Sequence, residues 1–89
     1  MKIDFRKSFS RDIKKIKTKN VLNQIKEAIA AVENTSNLVD LKNIKQLTSD
    51  GKYFRMRIGD YRLGIKLEKD IVVFVRFLHR KDIYRYFPS

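Results

Sequence analysis

The chain contains no cysteine and no tryptophan, one proline, three glycines and one histidine. Without cysteine, neither a disulfide framework nor a thiolate metal site can form. The lone His79 leaves little for a transition-metal centre. So little glycine and proline, beside a hydrophobic fraction of 43%, points to a folded chain rather than a disordered one. No apolar run approaches the roughly 20 residues that span a bilayer, so no membrane association is expected. Met1 to Arg11 is charged where a signal peptide would be apolar. A soluble, cytoplasmic protein is expected, in keeping with the reducing compartment that an absence of cysteine fits.

Acids are scarce as well: 10 Asp and Glu stand against 21 Lys and Arg, a formal charge of +11. A small domain this basic is expected to meet something anionic, with nucleic acid the leading candidate. The alternatives are a solvated basic surface or an acidic protein partner. The 89 residues make one domain, residues 1–89, with room for one modest core.

Along the chain, KIDFR at Lys2–Arg6 alternates and suggests a short edge strand. Ser8 or Ser10 can cap a helix, since a short hydroxyl side chain accepts from first-turn N–H groups. Phe9, Ile13 and Ile16 then fall at helical spacing, with Arg11, Lys14, Lys15 and Lys17 on the other faces. A second helix opens at Asn20, where Val21, Leu22, Ile25, Ala28, Ile29 and Val32 trace one apolar stripe. It is expected to stop near Glu33 or Asn34. Leu38–Leu47 is expected to be irregular or to hold one or two helical turns. Thr48-Ser49-Asp50-Gly51 turns the chain into a sheet.

Three strands follow. Phe54, Met56 and Ile58 alternate with Arg55 and Arg57, and Gly59-Asp60 suits a two-residue type II′ hairpin turn. Tyr61, Leu63, Ile65 and Leu67 alternate with Arg62, Gly64 and Lys66, and Glu68-Lys69-Asp70 turns the chain again. Ile71–Leu78 is apolar on both faces except at Arg76, the pattern of a central strand. Lys81–Tyr86 can form a last helical turn before Phe87-Pro88-Ser89. The expected architecture is α+β, a small antiparallel sheet packed on two N-terminal helices. Its order is β-α-α-β-β-β with a short C-terminal helical turn.

Side chains on a strand alternate faces. Burying Phe54, Met56 and Ile58 turns out Arg55 and Arg57, and burying Tyr61, Leu63, Ile65 and Leu67 turns out Arg62 and Lys66. Burying Ile71, Val73, Val75 and Phe77 turns out Arg76, with Arg80 sharing its parity. One sheet face would then carry a cationic field, opposite the helices. A merely solvated face is the competing explanation. Against it, Val72, Phe74 and Leu78 share the parity of Arg76, and most of the charges are arginine, whose planar fork suits phosphate. His79 is either a proton-transfer group or a hydrogen-bonded structural histidine. Tyr84 either stacks on a base or, like Tyr86, covers the core.

FRMRIGDYRL followed by VVFVRFLHRKDIY resembles the signature of the RelE/ParE superfamily of bacterial toxin–antitoxin toxins, and the element order matches across the whole chain. The resemblance implies a compact α+β fold and a cognate antitoxin. One branch of the superfamily cleaves messenger RNA in the ribosomal decoding site, and the ParE-like branch poisons DNA gyrase. Arg55, Arg57, Arg62, Arg80 and Tyr84 fall where RelE-like toxins keep basic residues and a late tyrosine, which implies a ribosome-dependent endoribonuclease. In that expectation Arg62 and Arg80 neutralise charge at the reacting phosphate, Tyr84 orients a base and His79 assists proton movement. Arg55, Arg57, Lys66, Arg76 and Lys81 hold RNA, and no cofactor or metal takes part. The strand positions of Arg55 and Arg57 are typically lysines in such toxins, and an arginine, never neutral near pH 7, makes a poor general base. A gyrase inhibitor and a non-catalytic RNA-binding module are the alternatives.

Overall fold

The computed structural model describes residues 1–88; Ser89, expected to close the chain, lies outside the described residues. The elements are β1 (Lys2–Phe5), α1 (Lys7–Lys14), α2 (Lys19–Asn34), a 3-10 turn (Leu38–Asp40), β2 (Ile44–Gln46), β3 (Tyr53–Ile58), β4 (Tyr61–Glu68), β5 (Ile71–His79) and α3 (Ile83–Tyr86). The five strands form one sheet in the order β1-β5-β4-β3-β2. The α+β class and the helix-then-sheet order are as expected, with two refinements. β1 pairs in parallel with β5, so the sheet is mixed. Ile44–Gln46, within the stretch expected to be irregular, adds an antiparallel edge strand beside β3.

The apolar stripe of α2 does what its spacing implies: Ile25, Ala28 and Val32 are buried. They meet Phe54, Met56, Ile58, Leu63, Ile65, Val72, Phe74 and Phe77 from the sheet, with Phe9 of α1 and Leu38 closing the core. Phe5, Phe9 and Phe74 pack ring against ring at 5.2–5.6 Å between centroids, which ties β1, α1 and β5 together. The β3–β4 turn has Gly59 at φ +58, the left-handed value that the first position of a type II′ turn requires.

Strict alternation fails in β5. Gly64 pairs with Arg76 but Ile65 pairs with Phe74, so Val75 is an extra, bulged residue. The extra residue reverses parity. Val72 and Phe74 therefore face the helices, in place of the expected Val73 and Val75, while Phe77 faces them beyond the bulge. Ile71, also expected inside, is exposed.

Beyond Phe74, β1 has ended and the outer edge of β5 is taken over by α1. Ser8, expected as a helix cap, instead donates from Oγ to the bulged Val75 carbonyl at 2.6 Å. Asp12 Oδ2 accepts from Phe77 N at 2.9 Å. These bonds satisfy backbone groups that a bare sheet edge would expose. Asp12 is 4% exposed and also takes both branches of Arg76, Nε at 2.8 Å and Nη2 at 3.1 Å.

Candidate functional site

The sheet face opposite the helices is built from cross-strand rows. Lys45, Arg55, Gly64 and Arg76 form one row, and Arg57, Arg62 and Leu78 the next. At the end of the second row, the Arg57 backbone N–H donates to Asn43 O at 2.9 Å, which brings Asn43 alongside.

The middle of that face is occupied. α3 turns back over it, with Ile83 and Phe87 buried. The Phe87 ring lies on Gly64 so closely that a Cβ there would stand 2.7–2.8 Å from three ring atoms. Gly64 is thus a seat, its missing side chain replaced by an aromatic ring. Gly64→Ala is expected to cost ~1–3 kcal/mol of stability, the usual range for overpacking. Thermal unfolding measures it, and combination with Phe87→Ala should be strongly non-additive, since removing the ring removes the clash.

This strap divides the cations. On the β2 side lies a groove of about 380 Å³ lined by Asn43, Ile44, Lys45, Arg55, Arg57, Arg62 and Tyr84. The Arg55 guanidinium sits 4.5 Å above the Tyr84 ring centroid, a cation–π contact that holds the 70%-exposed phenol against the groove. Arg62 Nη1 donates to the carbonyls of Gly59 at 3.0 Å and Tyr61 at 2.9 Å. The hairpin turn thereby fixes the guanidinium in place. Among the described residues, Arg55, Arg57 and Arg62 form no ion pair with a carboxylate.

Other residues expected in the site lie elsewhere. Arg76 is committed to Asp12. Lys66 lies on the far side of the strap, with Nζ 3.1 Å from Glu68 Oε1. That hydrogen bond raises the Lys66 pKa and lowers that of Glu68. His79, expected as either a proton-transfer group or a structural histidine, stands apart from the groove. β5 runs through this residue on the parity of Phe77, so its ring is on the helix-facing side, edge-on to Tyr61 at 5.7 Å. Its Nδ1 accepts from Lys81 N at 3.2 Å. The sheet thus stands between His79 and the groove. Arg80 and Lys81 are exposed just past β5, and the Arg80 N–H donates to Asp60 O at 2.8 Å. Neither lines the groove. Asn43 and Lys45 do line it and were not anticipated, because three residues of β2 are too few to show alternation.

The mixed sheet backed by two helices agrees with what comparison shows. A model of the ParE toxin family of type II toxin–antitoxin systems matches residues 3–84, and the chain belongs to that family, within the RelE/ParE toxin superfamily. It is 42% identical over 89 residues to Toxin RelE3 of Methanocaldococcus jannaschii, with 99% of this chain and 100% of the relative covered. The RelB-RelE antitoxin-toxin complex from Methanococcus jannaschii contains a chain with 40% identity and a TM-score of 0.78, covering 96% of this chain and 99% of that one. YafQ from E. coli shares the fold at 22% identity and a TM-score of 0.72, with 92% of this chain and 96% of that one covered.

Among the described residues, no helix is long and apolar enough to cross a membrane, and no group of three or more His, Cys, Asp or Glu is placed to hold a metal.

Proposed function

We propose that this toxin is a ribosome-dependent endoribonuclease acting on messenger RNA in the cytoplasm. The observation that carries it is the convergence of Arg55, Arg57, Arg62 and Tyr84 on one groove, with no carboxylate pairing those arginines. In the reaction, a 2′-oxygen forms a bond to the adjacent phosphorus and the bond from phosphorus to the 5′-oxygen breaks. The products are a 2′,3′-cyclic phosphate and a 5′-hydroxyl.

Arg62, held rigidly by two carbonyls, neutralises charge developing on the phosphate oxygens. Preorganised donors of this kind are often the largest single contribution to such a rate. Arg57 and Arg55 bind that phosphate and the next. Arg80 and Lys81, exposed just past β5, hold flanking RNA. Tyr84 stacks a base. The cationic lining repels a divalent metal ion, so the protein's contribution is charge stabilisation and alignment. The proton leaving the 2′-hydroxyl passes to water or to the ribosomal surroundings, because no group lining the groove is a neutral base, and the departing 5′-oxygen takes its proton from the same source. Alignment by the ribosome then makes naked RNA a poor substrate.

The test is to map messenger 5′ ends after brief expression without antitoxin. Breaks within translated codons are expected; intact messages in an arrested cell would overturn the proposal. The family model carries the ParE name, which favours gyrase inhibition as the second possibility, and supercoiling by purified gyrase separates the two. His79→Ala is expected to change cleavage far less than the ~100-fold that loss of a general acid or base costs. Single-turnover cleavage on programmed ribosomes measures it. Like the RelE of the RelB-RelE complex, the protein is expected to bind a cognate antitoxin, through a partly acidic, amphipathic segment that packs on the helices or screens the arginines.

A further inference from the structure

The groove accounts for only part of the positive charge. Between Lys7 and Lys19 the chain also carries Arg11, Lys14, Lys15 and Lys17, all exposed. The acid in that stretch, Asp12, is buried and turned inward onto Arg76 and Phe77. Among the described residues, no carboxylate forms an ion pair with any of those exposed cations. A face that is merely solvated usually mixes the two signs, as α2 does with Lys26, Glu27 and Glu33. α1 does not.

A groove of about 470 Å³ opens beside it, lined by Ser8, Arg11, Asp12, Lys14, Lys15 and Arg76. Arg11, Lys14 and Lys15 stand three and four residues apart and so share one helical face. α1 borders β5 on the β1 side of the sheet, whereas the arginine groove lies over β2 to β4. The two basic surfaces are separate.

We propose that this face of α1 is a second RNA-docking surface, one that holds the phosphate backbone of a double-stranded segment rather than the strand entering the groove. The proposal rests on the RNA-directed reading above and adds a second point of contact to it. Two features select the partner. The exposed large apolar residues are Phe5, Val39, Ile71, Tyr84 and Tyr86, none of them on α1. Protein interfaces need apolar or aromatic anchors at their centre and are poor in lysine. Single-strand binders stack bases on aromatic rings, and α1's sole aromatic residue, Phe9, is buried. What remains suits a regular array of phosphates read by shape and charge, as on A-form RNA.

The test is equilibrium binding of a labelled RNA hairpin with a fully paired stem and of single-stranded RNA of equal length, across a salt series. The wild type is compared with the triple variant Arg11→Ala, Lys14→Ala, Lys15→Ala and with a charge-matched control, Lys26→Ala, Lys52→Ala, Lys69→Ala. Alanine is the best helix former, so the α1 variant should stay folded, and circular dichroism checks it. The α1 variant is expected to bind the stem at least ~10-fold more weakly at moderate salt. Its slope of log K against log salt should be shallower by about 2.7, the loss of roughly three phosphate contacts at ~0.9 each on a duplex. Single-strand binding and the control variant should be nearly unchanged.

Equal weakening by the control variant, or equal loss of stem and single strand, would overturn the proposal. So would unchanged stem binding accompanied by loss of an acidic antitoxin. Binding is read without cleavage, so an inactive protein that still docks stems refutes the nuclease assignment alone.

Discussion

Asp12→Ala is expected to destabilise the fold by about 3 kcal/mol, the low end of the range for removing one partner of a buried ion pair. The lower end applies because the Arg76 side chain is 25% exposed and can recover some water. The loss has separable parts. Arg76 is left without its bidentate acceptor, and the Phe77 N–H, on a sheet edge covered only by α1, loses its acceptor. Asp12→Asn keeps an acceptor oxygen for one of these donors and should cost distinctly less. Urea unfolding followed by circular dichroism measures both. A loss below about 1 kcal/mol for alanine would mean that water replaces the carboxylate freely. With total stabilities of ~5–15 kcal/mol for such domains, the expected loss is a large share.

Arg62→Ala is expected to slow cleavage on programmed ribosomes by ~100- to 1,000-fold, the effect of deleting one preorganised donor to a developing oxyanion. Its cost to folding should be small, about 1 kcal/mol for a part-buried hydrogen bond, because the lost bonds go to carbonyls at and beside a solvent-facing hairpin turn. Rate and stability therefore separate at this position, unlike at Asp12. Arg62→Lys keeps the charge but not the planar fork and should fall between alanine and wild type. A change of less than ~10-fold for alanine would remove Arg62 from the reacting phosphate and move attention to Arg57.

Much of this was legible in the chain because local patterns and tertiary demands agreed. The α2 stripe, the alternation of Phe54, Met56 and Ile58, and the Gly59-Asp60 turn each recur in the structure with the same face buried or the same backbone geometry. Arg55, Arg57, Arg62 and Tyr84 could be grouped in advance, and they do share a groove. What stayed hidden depends on long-range contact. A bulge at Val75 leaves no mark in a strand that is apolar on both faces, yet it decides that Phe74 rather than Val73 joins the helix-side cluster. Nothing local in the sequence marks Asp12, because its partners lie more than sixty residues away. Gly64 read as a gap between Arg62 and Lys66 until Phe87 was found on it.

The Arg55–Tyr84 contact also makes the molecule its own optical instrument. With no tryptophan and four tyrosines in the chain, emission excited beyond the phenylalanine absorption band comes from phenols alone. Tyr84, 70% exposed and capped by a guanidinium at the groove mouth, is the one whose surroundings a bound nucleotide would alter most. Occupancy can therefore be followed by intrinsic fluorescence, with no dye attached to protein or RNA.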